Sequence, residues 1–221
     1  MAENSGPDPL DPGASAANGS AAPEVDLTRN LTVDWDEATW LNPPAALTRL
    51  GDTLIVTAKP ESDFWRTTSY GYVTDDGHCL LTSFPVGCAI EVTFVAELAE
   101  QFDQAGLMIR VDEHSWIKAG VEFADGLPQL GAVVTRGLSD WSTAPVPEWA
   151  GTAVTLRASR TGDAVTVRAR SGDGPWRLVR LAPLDPDAWA GAGPFCCSPS
   201  PKGLTVCFTG FVRGPADSSL H

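Results

Sequence analysis

The stretch Ala89-Ile90-Glu91-Val92-Thr93-Phe94-Val95-Ala96-Glu97 decides the fold, because its apolar residues recur at every second position. In an extended chain these apolar side chains fall on one face, and the Glu and Thr side chains between them fall on the other. Such an alternation is typical of a strand that covers a core with one side and meets solvent with the other. The stretch therefore predicts a half-buried β-strand.

The same period continues towards the end of the chain. Val154 to Ala158 and Val165 to Ala169 alternate in the same way around Thr161-Gly162, which predicts a hairpin. Asp173-Gly174 supplies a second turn before a further strand from Trp176 to Leu181. Short strands joined by such turns indicate antiparallel connections.

Helical patterning is weak throughout the chain. The best candidate, Val95 to Gln104, is short and continues directly from strand-like sequence. A last apolar strand from Thr205 to Val212 closes the domain. Many short strands separated by Gly, Pro and Asp favour a sandwich or barrel over a βαβ fold. We predict an all-β sandwich of two antiparallel sheets with little helix.

Composition bounds the domain and its location. Residues 1–24 and 214–221 are rich in Ala, Gly, Ser, Pro and Asp, which predicts disordered tails around one domain at 25–213. Neither a signal peptide nor an apolar stretch of membrane-spanning length is present. Five cysteines without a CxxC pair favour reduced, buried thiols. We therefore expect a cytoplasmic protein.

The chain is acidic, with a formal net charge of −13. Phosphate backbones and anionic lipids bind clustered Lys and Arg, so neither nucleic acid nor a membrane is an expected partner. No phosphate loop, dinucleotide fingerprint or nucleophile elbow occurs. The three histidines make no ligand motif, so we expect no metal and no cofactor.

The stretch Trp116-Ile117-Lys118-Ala119-Gly120-Val121-Glu122 carries the candidate site. Alternation places Trp116, Lys118 and Glu122 on one face and three apolar side chains on the other. An indole stacks on a sugar ring, and charged side chains hydrogen-bond its hydroxyls, so this face suits a carbohydrate or a similar polar ligand. The alternative is an exposed Lys118–Glu122 pair with Trp116 packed at a sheet edge.

Further polar and aromatic side chains extend this candidate site. Asp103 and Gln104 stand at the start of one strand, and Asp140 and Trp141 in a loop near the same face. A second cluster, Glu61 to Arg66, offers Asp63, Trp65 and Arg66, which either line a groove or form an edge strand whose arginine pairs with a carboxylate. The full candidate ligand-binding set is Trp116, Gln104, Asp140, Trp141, Asp63, Trp65 and Arg66.

Several strings of the chain resemble one family. They are WLNPP from Trp40, SDFWR from Ser62, DQAGLMIR from Asp103, WIKAGVE from Trp116, VVTRGLSDW from Val133, RLVRLA from Arg177 and CSPSPKGLTVCF from Cys197. Together they resemble the uncharacterised-domain family that includes the regulation-of-enolase proteins, within the concanavalin A-like lectin/glucanase superfamily. The resemblance implies a curved jelly roll whose concave sheet is the sugar-binding cleft in related lectins and β-glucanases.

The resemblance leaves the function open. The alternating Glu-x-Asp-x-Glu string that carries the acids of the superfamily's β-glucanases is missing here. We expect an intracellular lectin-like module that binds a carbohydrate or similar polar molecule. The first alternative is an enzyme in which Glu122 acts as acid or base, with Lys118 or Asp103 tuning its pKa. The second is a regulatory module with a protein partner, as the family's name suggests.

Overall fold

A computed structural model describes residues 26–220 of the chain, which form two large antiparallel sheets and one small one. The first large sheet has the order β15-β14-β13-β8-β17-β4-β3, with β1 on β17. Its strands are β1 (Leu31–Thr32), β3 (Ala46–Leu50), β4 (Thr53–Thr57), β8 (Cys88–Ala96), β13 (Val154–Thr161), β14 (Ala164–Ser171), β15 (Arg177–Pro183) and β17 (Thr205–Pro215). We call it the eight-stranded sheet.

The second large sheet, the seven-stranded sheet, has the order β12-β11-β10-β9-β16-β7-β2. Its strands are β2 (Thr39–Leu41), β7 (His78–Ser83), β9 (Gln104–Arg110), β10 (Ser115–Ala124), β11 (Leu127–Arg136), β12 (Leu138–Pro145) and β16 (Gly191–Cys197). The third sheet is a hairpin of β5 (Phe64–Arg66) and β6 (Val73–Asp75). Helical geometry within residues 26–220 is confined to the short 3-10 turns Trp35–Glu37 and Pro147–Trp149.

The predicted all-β sandwich, a concanavalin A-like jelly roll, is confirmed. The stretch from Ala89 to Ala96 lies in β8, at the centre of the eight-stranded sheet between β13 and β17. The hairpin around Thr161-Gly162 also forms, with Thr161 opposite Ala164. The candidate helix at residues 95–104 does not form, because the segment carries the end of β8 and leads by a loop into β9.

The core lies between the two large sheets. Val92 and Leu156 from the eight-stranded sheet are fully buried in it, together with Leu107 and Ala119 from the seven-stranded sheet. Val121, which alternates with the polar residues of β10, also belongs to this core. The predicted division of β10 into an apolar and a polar face is therefore correct, and its polar face points away from the sandwich.

Of the two predicted tails, the structure describes only the C-terminal one, as far as residue 220. The expected tail over residues 1–24 lies outside the described residues. At the other end β17 continues to Pro215, and the Asp217 carboxylate accepts hydrogen bonds from Arg157 and Arg168. These two arginines hold residues beyond 213 against the eight-stranded sheet, where composition alone indicated a disordered tail. Between residues 26 and 220 no helix is long and apolar enough to cross a membrane.

A row of three glycines, which we call the glycine lane, crosses the polar face of the seven-stranded sheet. Gly106, Gly120 and Gly131 are direct neighbours on β9, β10 and β11. A Cβ on Gly120 would lie 2.1 Å from the carbonyl oxygen of Ala105, and one on Gly106 would lie 2.1 Å from that of Ala119. The backbones approach too closely there for any side chain. The lane separates Lys118 from Glu122 on β10.

Replacing Gly120 with alanine tests this packing. The added Cβ meets backbone, which cannot rotate away, so we expect the free energy of unfolding to fall by at least about 2 kcal/mol. Urea denaturation followed by tryptophan fluorescence gives the value. Gly210→Ala is the matched control, because its Cβ would meet the Thr93 side chain at 3.3 Å and should cost less. Equal losses in the two variants would contradict the close approach of β9 and β10.

Candidate functional site

The β5–β6 hairpin covers part of the polar face of the seven-stranded sheet. Phe64 of β5 is fully buried between the hairpin and the sheet, and its ring centroid lies 6.0 Å from that of Trp116 on β10. Met108, Val133 and Phe195 from neighbouring strands belong to the same apolar cluster. The seven-stranded sheet therefore carries a second, smaller core on the side away from the sandwich.

Two ion pairs fasten the hairpin to the sheet. Lys118 Nζ on β10 lies 2.8 Å from Oδ1 of Asp63, which directly precedes β5. Arg110 on β9 donates through both terminal nitrogens to the carboxylate of Asp75 on β6, at 2.5 and 2.7 Å. The Lys118 and Arg110 side chains are only 5% and 8% exposed, so both charges depend on these partners.

Asp63 is the more tightly held of the two aspartates. Its Oδ1 accepts hydrogen bonds from the Phe64 backbone N–H at 2.7 Å and the Gln104 side-chain amide at 3.2 Å, in addition to Lys118. Burial is the largest single influence on Lys118 and lowers its pKa, but the charge and hydrogen bond of Asp63, together with Cys197 and Glu122, outweigh burial, and the net pKa is raised. Lys118 therefore stays positively charged inside the protein.

Glu122 lies two residues beyond Gly120 on the same face. Its Oε1 is buried and has no hydrogen-bond partner among the described residues. Burial raises the pKa of Glu122 from its ordinary 4.5 to about 7, helped by Asp63 and Asp125 and opposed by Lys118 and Trp141. The side chain thus exchanges a proton near neutral pH and offers an unused acceptor.

Aromatic side chains surround this polar base. Trp65 packs edge-on against Tyr70 and Trp141, with ring centroids 5.5 and 6.4 Å apart. Phe102 lies 6.2 Å from Trp141, and Tyr72 stacks on Tyr70 at 5.7 Å. With the base they surround a shallow cavity of about 30 Å³ that is partly open to solvent. We call this cavity the rim pocket, and its lining is Asp63, Trp65, Tyr70, Tyr72, Phe102, Gln104, Lys118, Glu122, Val133 and Trp141.

Strand register and a tight turn bring these side chains together. Gln104 is opposite Glu122, and Lys118, Val133 and Trp141 are successive neighbours across β10, β11 and β12. The two tyrosines stand in the turn between β5 and β6, where the Thr67 N–H donates to the Tyr72 carbonyl at 2.7 Å. The seven-stranded sheet thus supplies Gln104, Lys118 and Glu122 of the polar base, and the segment before β5 supplies Asp63. Loops and turns supply three of the five aromatic rings.

Six of the ten predicted site residues gather in the rim pocket, and four do not. The six are Asp63, Trp65, Gln104, Lys118, Glu122 and Trp141. Trp116 is only 2% exposed beneath Phe64, so its ring is not available to stack on a ligand. Asp103 is not in the lining, and its carboxylate accepts from Ser198 Oγ and from the Glu100 N–H, each at 3.1 Å.

The other two predicted residues serve other contacts. Asp140 alternates with Trp141 and turns away from the rim pocket to pair with Arg180 at 3.0 Å. Arg66 donates to the carbonyl oxygens of Gly137 and Glu113 at 3.2 and 3.3 Å, which ties the hairpin to two loops. The carboxylate that shares the rim pocket with Glu122 is therefore Asp63 and neither Asp103 nor Asp140.

Three rim residues were not among the predicted site residues: Tyr70, Tyr72 and Phe102. A signal for two of them was present, because the chain has only two tyrosines and they stand within three residues of each other. Phe102 gave no signal, since its place depends on the loop before β9. Among residues 26–220 no cluster of three or more His, Cys, Asp or Glu side chains could hold a metal ion.

The Lys118–Asp63 pair can be tested by Asp63→Asn. The amide keeps the size of the side chain but leaves the buried ammonium without a counter-charge, so we expect a loss of about 3 kcal/mol in the free energy of unfolding. Lys118→Met in the same background should recover much of that loss, because an apolar side chain needs no partner. Urea denaturation of both single variants and the double variant measures the coupling. Additive losses would show that the pair does not hold the hairpin.

Glu122→Gln tests the raised pKa of the buried carboxyl. The folded protein retains a proton that the unfolded chain releases, so the free energy of unfolding should fall as the pH rises from 4.5 to about 7. Above that window the variant should be more stable than wild type by about 2 kcal/mol, and below it the two should converge. Urea denaturation across this range measures the difference. Glu37→Gln, an exposed carboxyl, is the control, and parallel curves for Glu122→Gln and wild type would exclude the shift.

Comparison with known proteins agrees with this architecture. The chain is 32% identical over 198 residues to Regulation of enolase protein 1 of Saccharomyces cerevisiae, covering 88% of this chain and 98% of that protein. A crystal structure described as a functionally unknown protein from Saccharomyces cerevisiae superposes with a TM-score of 0.79 at 32% identity, over 84% of this chain and all of that one.

A more distant likeness shows the fold alone. The crystal structure of a xylan beta-1,4-xylosidase from Bacillus halodurans superposes with a TM-score of 0.63 at 17% identity, over 90% of this chain and 41% of that one. The sequence model of the family described as "Protein of unknown function (DUF1349)" matches residues 40–215. The chain belongs to this family.

Proposed function

We propose that this protein is a lectin-like binding module that holds a carbohydrate or a similar small polar molecule in the rim pocket. The observation that carries the proposal is the ring of five aromatic side chains around a base of one amide, one ammonium and two carboxyl groups. Aromatic faces contact the C–H faces of a sugar, and the polar base matches its hydroxyls.

The unpartnered oxygen of Glu122 supports a ligand at this position. A buried acceptor without a donor is costly, and a ligand hydroxyl or amino group would supply that donor. The cavity volume is only about 30 Å³, well below that of a site that encloses its ligand, so the rim pocket would contact one face or edge of a single sugar ring. The fold is also found in a protein named as a xylosidase.

The second candidate is an enzyme acting on a carbohydrate or related metabolite. The observation that favours it is a carboxyl with a pKa of about 7, close to a fixed positive charge. In this reading Glu122 exchanges a proton with the substrate, and Asp63 with Lys118 sets the electrostatics. Both candidates use the same rim pocket, so one experiment separates them.

Location and partners belong to the same proposal. All five cysteines are free and four of them are buried, which suits a reducing compartment such as the cytoplasm. The yeast relative is named for regulation of enolase. A module that binds a small ligand in the rim pocket is compatible with a protein partner bound elsewhere on its surface. The proposal requires neither a membrane nor a nucleic acid.

Titration of the protein with a panel of monosaccharides, followed by tryptophan fluorescence, tests the proposal. Trp65 and Trp141 line the rim pocket, so binding should change their emission. Trp141→Ala should weaken binding by at least about tenfold, because it removes one wall of the rim pocket. Trp176→Ala, on the eight-stranded sheet side, is the matched control and should bind as wild type does.

Two outcomes decide between the candidates. NMR spectra of the bound sugar report any chemical change, and a change abolished by Glu122→Gln with binding retained would favour the enzyme. Unchanged sugar favours the binding module. The rim pocket is rejected as the site if wild type binds no sugar. It is also rejected if Trp141→Ala and Trp176→Ala weaken sugar binding equally.

A further inference from the structure

The charges that line the rim pocket do not balance. Lys118 is the only basic residue in the lining, and its ammonium already pairs with Asp63 at 2.8 Å. Glu122 is the second carboxyl in the lining and has no cation of its own. When Glu122 is ionised, the rim pocket therefore carries one negative charge in excess. The whole chain, with a net charge of −13, adds to this negative potential.

The groups around Glu122 come from four parts of the chain. Lys118 lies on the same strand, Asp63 comes from the hairpin, Asp125 from the β10–β11 turn and Trp141 from β12. Two of these neighbours are negative and one is positive. Their joint effect with burial holds the pKa of Glu122 near 7, so a further positive charge in the rim pocket would favour its ionised form.

The aromatic rim favours the same kind of charge. The rings of Trp65, Tyr70, Tyr72 and Trp141 line the rim pocket, and aromatic faces attract a cation more strongly when water is excluded. Burial first, and then the charge of Asp63, raise the pKa of Tyr72 at the rim, against the opposing charge of Lys118. An anionic ligand would meet both the rim and the carboxyl groups unfavourably.

We propose that the ligand of the rim pocket carries a positively charged nitrogen, which the Glu122 carboxylate and the aromatic rim bind together. The inference rests on the proposed function. An amino sugar satisfies both conditions, because it is a carbohydrate and carries a positively charged nitrogen. The ammonium supplies the donor that Oε1 of Glu122 lacks, and the sugar ring covers the indole and phenol faces. Lys118 remains paired with Asp63 at 2.8 Å, so its positive charge is already compensated.

Two matched pairs of probes test this inference by isothermal titration calorimetry at neutral pH. The first pair is D-glucosamine with D-glucose, and the second is choline with its neutral isostere 3,3-dimethylbutan-1-ol. In each pair we expect the charged member to bind at least about tenfold more tightly. The preference should disappear in Glu122→Gln and persist in Glu97→Gln, an exposed carboxyl outside the rim pocket. In wild type it should also weaken as salt is added.

The outcomes separate this inference from the proposed function. Equal binding of glucosamine and glucose overturns the charged nitrogen and leaves the carbohydrate module standing. A preference that survives unchanged in Glu122→Gln overturns the assignment of the nitrogen to Glu122. Choline preferred over its isostere, with no sugar bound, supports the charged nitrogen and rejects the carbohydrate. Failure of all four probes overturns both. The salt dependence in wild type decides the matter even if Glu122→Gln does not fold.

Discussion

The buried ion pair between Lys118 and Asp63 is the contact on which the site depends. It joins the centre of the seven-stranded sheet to a hairpin that has only two strands of its own and could not stand alone. A buried ion pair contributes little net stability, but removing one partner leaves a charge without compensation. The pair therefore acts chiefly by fixing where the hairpin lies, and through the hairpin it sets the position of Trp65, Tyr70 and Tyr72. This contact therefore helps to shape the rim pocket, together with the Arg110–Asp75 pair.

The seven-stranded sheet is thus packed on both faces. Antiparallel sheets more commonly leave one face to solvent. Its inner face belongs to the sandwich core, and its outer face holds Phe64 and Trp116 in a second apolar cluster. The hairpin covers only part of that outer face. At the edge of the hairpin, Gln104 and Glu122 lie beside the glycine lane. The unpartnered oxygen of Glu122 therefore lies where the covered part of the sheet meets the solvent-exposed part.

Period and turn signals predicted the strands, the hairpin around Thr161-Gly162 and the two faces of β10, because these features depend on local alternation. They also placed Lys118 and Glu122 on the right face. The expected loop at Asp140 and Trp141 is in fact strand β12, whose alternation turns Asp140 away from Trp141. The direction of Arg66 depends on contacts of the hairpin with residues distant in sequence. Trp116 illustrates the same limit: it lies on the predicted face, but Phe64, 52 positions earlier in the chain, covers it. A sequence shows which residues share a strand face, but it does not show what folds over that face.

The position of Glu122 argues that the site was shaped for a ligand rather than for stability alone. A neutral glutamine in its place would not have to keep a proton to remain buried, and an apolar residue would leave no acceptor without a donor. The chain nevertheless keeps a carboxyl there, next to a lysine whose charge is already compensated. Groups that cost stability without serving the fold are concentrated at functional sites. The free acceptor, the excess negative charge and the aromatic faces all point into the same small space, so one ligand could satisfy them together.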